Sequence, residues 1–127
     1  YNLYGASEWG GLKIENLSDE KSLIWQLLLK ITDLNRIRRG IRIGDEELRI
    51  EESSEEIVKA RIKEYMVEIN LKKRVLRHNC DDWRKGMEEK RLCKHIVKIL
   101  FSISPEIALK ILKSMIEEKD AWSFEAF

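Results

Sequence analysis

The chain has 127 residues, a formal net charge of +1 and 37% charged residues. That length fits one domain, residues 1–127, with a modest core. No apolar run reaches membrane-spanning length and no signal-peptide pattern is present. The expectation is therefore a soluble cytoplasmic protein, nucleoid-associated if the source is prokaryotic.

Abundant Ile, Lys, Glu and Arg beside a single Gln, Gln26, suggest a thermophilic, archaeal-type source. The first residue is Tyr1 rather than Met, which leaves open residues upstream or a processed start.

Residues 1–17 form an aromatic, Gly-containing lead-in with Tyr1, Tyr4, Trp9, Gly10 and Gly11. Ser18 is a candidate N-cap, with Asp19 and Glu20 where a helix dipole favours acids. Leu23, Ile24, Leu27, Leu28 and Ile31 then mark the buried face of a helix ending near Asp33. Ile37, Ile41 and Ile43 lie among arginines, with Gly40 read as a bulge or a close approach. After a Gly44-Asp45 turn, Leu48 and Ile50 continue a short strand, and Ser53-Ser54 breaks it.

Val58, Ala60 and Ile62 alternate on one strand and Tyr65, Val67, Ile69 and Leu71 on the next, with a turn near Lys63-Glu64. The strand runs on, or restarts, through Val75 towards His78. Ser104-Pro105-Glu106 reads as cap, first-position proline and first-turn acid of a last helix. Ile107, Ala108, Ile111, Leu112, Met115 and Ile116 form its apolar face.

The only two cysteines and the only two histidines fall within residues 78–95, as His78-Asn79-Cys80 and Cys93-Lys94-His95. Two thiolates and two imidazoles are a closed ligand set for a structural zinc ion, and their charge cancels that of the ion. One intervening residue puts both side chains of a pair on one side of an extended segment. His78 and Cys80 therefore suit a strand end. Cys93 and His95 instead straddle a helix start, because Ile96, Val97, Ile99 and Leu100 begin a helical pattern. Cysteines committed to metal fit a reducing compartment.

Charge is unevenly distributed. Arg36, Arg38, Arg39 and Arg42 occur with no acid among residues 36–44, whereas Asp45 to Glu56 is acidic. Around the cysteines lie Lys72, Lys73, Arg74, Arg77, Arg84, Lys85, Lys90, Arg91 and Lys94, the candidate nucleic-acid contacts. Trp83 is read as stacking on a base or capping the core. No histidine is left over as a general base. No P-loop, dinucleotide or nucleophile-elbow motif occurs, so no enzyme activity and no small-molecule substrate are expected. The terminal aromatics Trp122, Phe124 and Phe127 are candidate partner contacts, with docking on the chain's own core as the other reading.

Arg38-Arg39-Gly40-Ile41, the strands around Ile57 to Leu71 and the block Leu92-Cys93-Lys94-His95-Ile96 resemble a SWIM zinc finger over about residues 36–100. That family carries C-x-C, a spacer and C-x-H. Here His78 stands at the first position, with Asn79 and Asp81 as alternative fourth ligands. The resemblance implies a ββα zinc unit binding DNA or protein. Among small stand-alone members it implies a partner of the RecA/Rad51 family of ATPases in homologous recombination or repair. A regulator unrelated to repair is the alternative. The expected fold class is α+β: a small antiparallel sheet with a zinc knuckle, flanked by an N-terminal helix and two C-terminal helices.

Overall fold

The computed structural model describes residues 19–127, together with the backbone of two short strands, β1 (Glu8–Trp9) and β2 (Leu12–Lys13), which pair antiparallel. The lead-in residues Tyr1, Tyr4, Gly10 and Gly11 and the proposed cap Ser18 lie outside the described residues, as does the side chain of Trp9.

The first helix, α1 (Asp19–Leu28), buries Ile24, Trp25 and Leu28 on one face, and Ile31 follows them into the core. It stops at Leu28, short of the expected end near Asp33. Asp33 instead caps a second helix, α2 (Leu34–Arg42), its carboxylate accepting the Arg36 N–H at 2.9 Å. The segment holding Ile37 and Ile41, read from sequence as leading into a strand with Gly40 at a bulge or a close approach, is therefore helical, and two helices rather than one precede the sheet. Ile37 and Gly40 lie one turn apart and are buried; the helical period of 3.6 carries them to the same side. Gly40 is a close approach: a Cβ there would lie 2.6 Å from Val97 Cγ1 and 2.7 Å from the Lys94 carbonyl oxygen.

A 3-10 turn, Asp45–Glu47, leads into β3 (Leu48–Ser53), β4 (Ile57–Ile62), β5 (Tyr65–Asn70) and β6 (Val75–His78). These strands pair antiparallel in chain order. Lys63 and Arg74 take left-handed backbone angles where the chain reverses. A short helix, α3 (Asp81–Gly86), separates the two ligand pairs; α4 (Lys94–Ser102) and α5 (Pro105–Glu117) follow.

The aromatic tail then returns to the sheet as β7 (Ser123–Ala126), pairing in parallel with β6. The sheet, ordered β3-β4-β5-β6-β7, is thus mixed rather than purely antiparallel. A parallel neighbour needs a long crossover, and residues 81–117, which carry three helices, provide it.

One sheet face carries Val58, Ala60, Ile62, Val67, Ile69, Leu76 and His78, all buried in a core shared with α1, α2, α4 and α5. The opposite face is polar. Across it Glu52, Lys59, Glu68, Arg77 and Glu125 stand in direct register, alternating in sign over five strands. A one-residue slip would put these charges in the core, so the ladder and the apolar face specify the same register. Among the described residues no helix is long and apolar enough to cross a membrane.

Candidate metal centre

Four side chains from two short segments, residues 78–80 and 93–95, converge where the sheet meets α3 and α4. His78 ends β6; Cys80 is the N-cap of α3; Cys93 is the N-cap of α4; His95 lies in the first turn of α4. One potential ligand atom from each lies within 4.8 Å of every other, and all four residues are buried. A tetrahedral ion with metal–nitrogen bonds of about 2.0 Å and metal–sulfur bonds of about 2.3 Å requires separations of about 3.3–3.8 Å between its ligands. The observed His78 Nε2 to His95 Nδ1 separation is 3.0 Å and that from Cys93 Sγ to His95 Nδ1 is 3.9 Å. These two separations lie close to that range, and a set held within 4.8 Å needs a closure of at most about 1 Å to surround one ion.

The surrounding backbone selects the atoms that face the centre. His78 Nδ1 donates to the Met66 carbonyl at 2.6 Å, which leaves Nε2 free to accept or to ligate. The His78 carbonyl accepts the Phe127 N–H at 3.2 Å, so the ligand is tied to β5 on one side and β7 on the other. Asn79 does not compete for the centre, because its Oδ1 accepts the Met66 N–H at 3.0 Å. Asp81, with a side chain 93% exposed, points to solvent. His78 is therefore the residue that completes the set.

Both sulfurs sit at helix N-termini, where the unpaired N–H groups and the dipole favour negative charge. Cys80 Sγ accepts the Trp83 N–H at 3.3 Å. Its thiol is held far below the ordinary range, chiefly by the Cys93 thiol, against the cost of burial, with His78, His95 and the Trp83 N–H adding to the effect. Cys93 is pushed up, first by burial and then by the neighbouring Cys80 sulfur. The two shifts run in opposite directions because two sulfurs this close resist ionising together, and a divalent ion would let both do so. Four protein ligands leave no open position for substrate or water.

The rest of the fold clamps this centre. Arg36 of α2 pairs with Asp33 and reaches Asp82 of α3, Nε to Oδ2 at 2.7 Å and Nη2 to Oδ1 at 2.6 Å. The loop between α1 and α2 holds the residue before Cys93: the Leu92 N–H donates to the Ile31 carbonyl at 3.2 Å, and Thr32 Oγ1 donates to the Leu92 carbonyl at 2.6 Å. The Tyr65 ring lies 5.0 Å from that of His95, and Trp83 lies 6.1 Å from that of His78. These supporting residues escape sequence reading because their partners are distant in the chain. The one local signal was the helical spacing of Ile37, Gly40 and Ile41.

Trp83 is fully buried, stacked on Phe124 at 4.9 Å, with Nε1 donating to the Glu125 carbonyl at 2.8 Å. It caps the core, and stacking on a base is ruled out by that burial. Of the candidate nucleic-acid contacts, Arg74 pairs with Glu118, Arg77 with Glu125, Arg84 with Asp81, and Arg91 with Asp82 and Glu89. Lys90 donates to the Lys119 carbonyl. Lys72, Lys73, Lys85 and Lys94 face no carboxylate among the described residues. In the tail, Trp122 is buried and donates to Ser114 Oγ at 3.0 Å, Phe124 is half-buried on Trp83, and Phe127 is 46% exposed.

The chain is a small α+β fold with a buried His78/Cys80/Cys93/His95 cluster able to coordinate a metal ion. No family model matches the chain, and no match was found among the curated proteins or the solved structures.

Proposed function

We propose that the protein is a non-catalytic, zinc-stabilised nucleic-acid-binding adaptor of SWIM-like type. The observation that carries this reading is the closed set of four buried donors, two sulfurs and two imidazole nitrogens, within 4.8 Å of one another. Tetrahedral sulfur and nitrogen ligation selects zinc among common ions, and a site without an open position holds structure rather than activating water. His78, Cys80, Cys93 and His95 would hold the ion. It would fix the ends of β6 and α4 and the start of α3 relative to one another, contributing folding energy directly.

Nucleic-acid binding is supported by cations without carboxylate partners among the described residues: Lys85 and the half-buried Lys94 near the centre, and the exposed Lys72 and Lys73 in the turn between β5 and β6. The resemblance of Cys93-Lys94-His95-Ile96 to the SWIM block makes a RecA/Rad51-family ATPase the first protein partner to test.

Elemental analysis of purified protein should give one zinc per chain. Chelation, Cys80→Ser or Cys93→Ser should each abolish the cooperative thermal transition. Fully folded, metal-free protein of unchanged thermal midpoint would refute the zinc role. Fluorescence anisotropy with labelled DNA at low salt tests binding, and absence of affinity there refutes the nucleic-acid role.

The alternative reading, a protein-interaction module, is favoured by one observation. Phe127 stays exposed at the end of the outermost strand of the sheet. Phe127→Ala abolishing partner capture while DNA affinity is retained would assign that role.

A further inference from the structure

We propose that the solvent face of α2, carrying Arg38, Arg39 and Arg42, is the principal docking face for the nucleic-acid phosphate backbone. This rests on the nucleic-acid reading above and moves its contact surface away from most of the residues suggested by sequence.

The first observation is pairing. Arg36, Arg61, Arg74, Arg77, Arg84 and Arg91 each pair with a carboxylate. Arg38, Arg39, Arg42 and Arg49 face none among the described residues, and three of these four share one helix. A shortage of acids does not explain this, since residues 45–56, which follow α2 directly, are strongly acidic. Four of those acids pair elsewhere: Asp45 with Lys98, Glu47 with Lys63, Glu51 with Arg61 and Glu55 with Lys110.

The second observation is placement. Gly40 faces α4, and at about 100° per residue Arg38 and Arg42 lie on the side of α2 opposite Gly40, one turn apart, with Arg39 on their flank. Arg39 and Arg42 are exposed and Arg38 half-buried. The contacts of Gly40 with the Lys94 carbonyl oxygen and Val97 seat the opposite side of α2 on α4, which leaves the arginine side turned outward.

Arginine forks match phosphate oxygens in pairs. A duplex carries one charge about every 1.7 Å of axis, so a stripe rising about 6 Å meets several phosphates. A lipid surface is a poorer fit, because the apolar side of α2, Ile37 and Gly40, is already buried and leaves nothing to insert.

The third observation links the stripe to the metal. Arg36, on the same helix, grips Asp82 of α3, and Gly40 abuts the carbonyl of Lys94, the residue between Cys93 and His95 in the chain. The centre therefore holds the stripe in place without touching the phosphate.

The test is a salt titration of labelled duplex DNA by fluorescence anisotropy. It compares wild type, Arg38→Gln/Arg39→Gln/Arg42→Gln, and Lys72→Gln/Lys73→Gln/Lys85→Gln, each checked for metal content and thermal midpoint. The arginine variant should bind at least about tenfold more weakly at low salt, and its log–log salt slope should fall by about 2.7, near 0.9 for each phosphate no longer neutralised. Should the triple variant fail to fold, Arg42→Gln alone should lower the slope by about 0.9.

An unchanged slope in the arginine variant, or a larger drop in the lysine variant, overturns the inference and leaves the nucleic-acid reading standing. Wild type without affinity for duplex or single strand at low salt overturns both. Binding to phosphatidylserine vesicles without binding to duplex assigns the stripe to lipid and also overturns it.

Discussion

Gly40→Ala sets two ordinary effects against each other. In a helix interior, alanine is favoured over glycine by about 1 kcal/mol, so propensity alone predicts a more stable protein. The structure reverses that sign. The new Cβ would lie 2.6 Å from Val97 Cγ1, 2.8 Å from Val97 Cβ and 2.7 Å from the Lys94 carbonyl oxygen. A side chain can turn away, but the oxygen belongs to the backbone between Cys93 and His95.

Overpacking of a tight core contact costs about 1–3 kcal/mol, and the upper part of that range applies when backbone must move. The net expectation is destabilisation of about 1–2 kcal/mol, or a fall of about 3–6 °C in thermal midpoint for a domain of this size. The displaced Lys94 also shifts two ligands, so chelator competition should show weaker metal retention than in wild type.

Urea unfolding with metal saturated measures the first effect, and competition with a colorimetric chelator measures the second. Val97→Ala in the same background should restore part of the stability, since it removes one obstruction and leaves the carbonyl. A Gly40→Ala protein as stable as wild type, with equal metal retention, would refute the close approach of α2 to α4.

Trp83→Ala should cost about 3–5 kcal/mol in urea unfolding, as for other large buried aromatics, whereas Trp83→Phe should cost less, since it keeps a ring against Phe124 and loses the Glu125 hydrogen bond and part of the indole volume. A near-neutral alanine variant would contradict the burial of the indole. Deleting residues 122–127 removes the buried Trp122 and strand β7, so it should lower the thermal midpoint even without any partner. An unchanged midpoint would mean the tail does not belong to the sheet.

Arg36 holds the Asp82 carboxyl below its usual range, chiefly through their hydrogen bond. Its contribution is therefore complete above the ordinary Asp pKa of about 3.9 and is lost as pH falls through the lowered folded value. Asp82→Asn should be less stable than wild type at neutral pH and converge with it in acid. A gap independent of pH would sink the Arg36–Asp82 clamp.

The cluster able to coordinate a metal was legible in the sequence because coordination chemistry needs scarce residue types at restricted spacings. The chain offers two cysteines and two histidines and no more. The alternation of β4 and β5, the restart at β6 and the proline-led start of α5 were legible for a related reason: each is written in a local period or cap. The helix α2 was harder. Its apolar stripe is only Ile37, Gly40 and Ile41 among arginines, and glycine reads as a breaker until α4 is seen to need the space it leaves.

What tertiary structure alone decided concerns pairs of residues far apart in the chain. Strand β7 lies beside β6 in parallel because the crossover returns there, and no periodicity in Ser123–Ala126 encodes its neighbour. Asn79 is excluded from the centre by the Met66 N–H, and Trp83 from any ligand by Phe124 and the Glu125 carbonyl. Charge shows the same division. Composition counts the cations around the cysteines, but only packing determines that Arg74, Arg77, Arg84 and Arg91 meet carboxylates while Arg38, Arg39 and Arg42 meet none among the described residues. Ligand identity is a property of residue type and was readable from the sequence. Which charges stay free depends on distances between elements, and folding sets those.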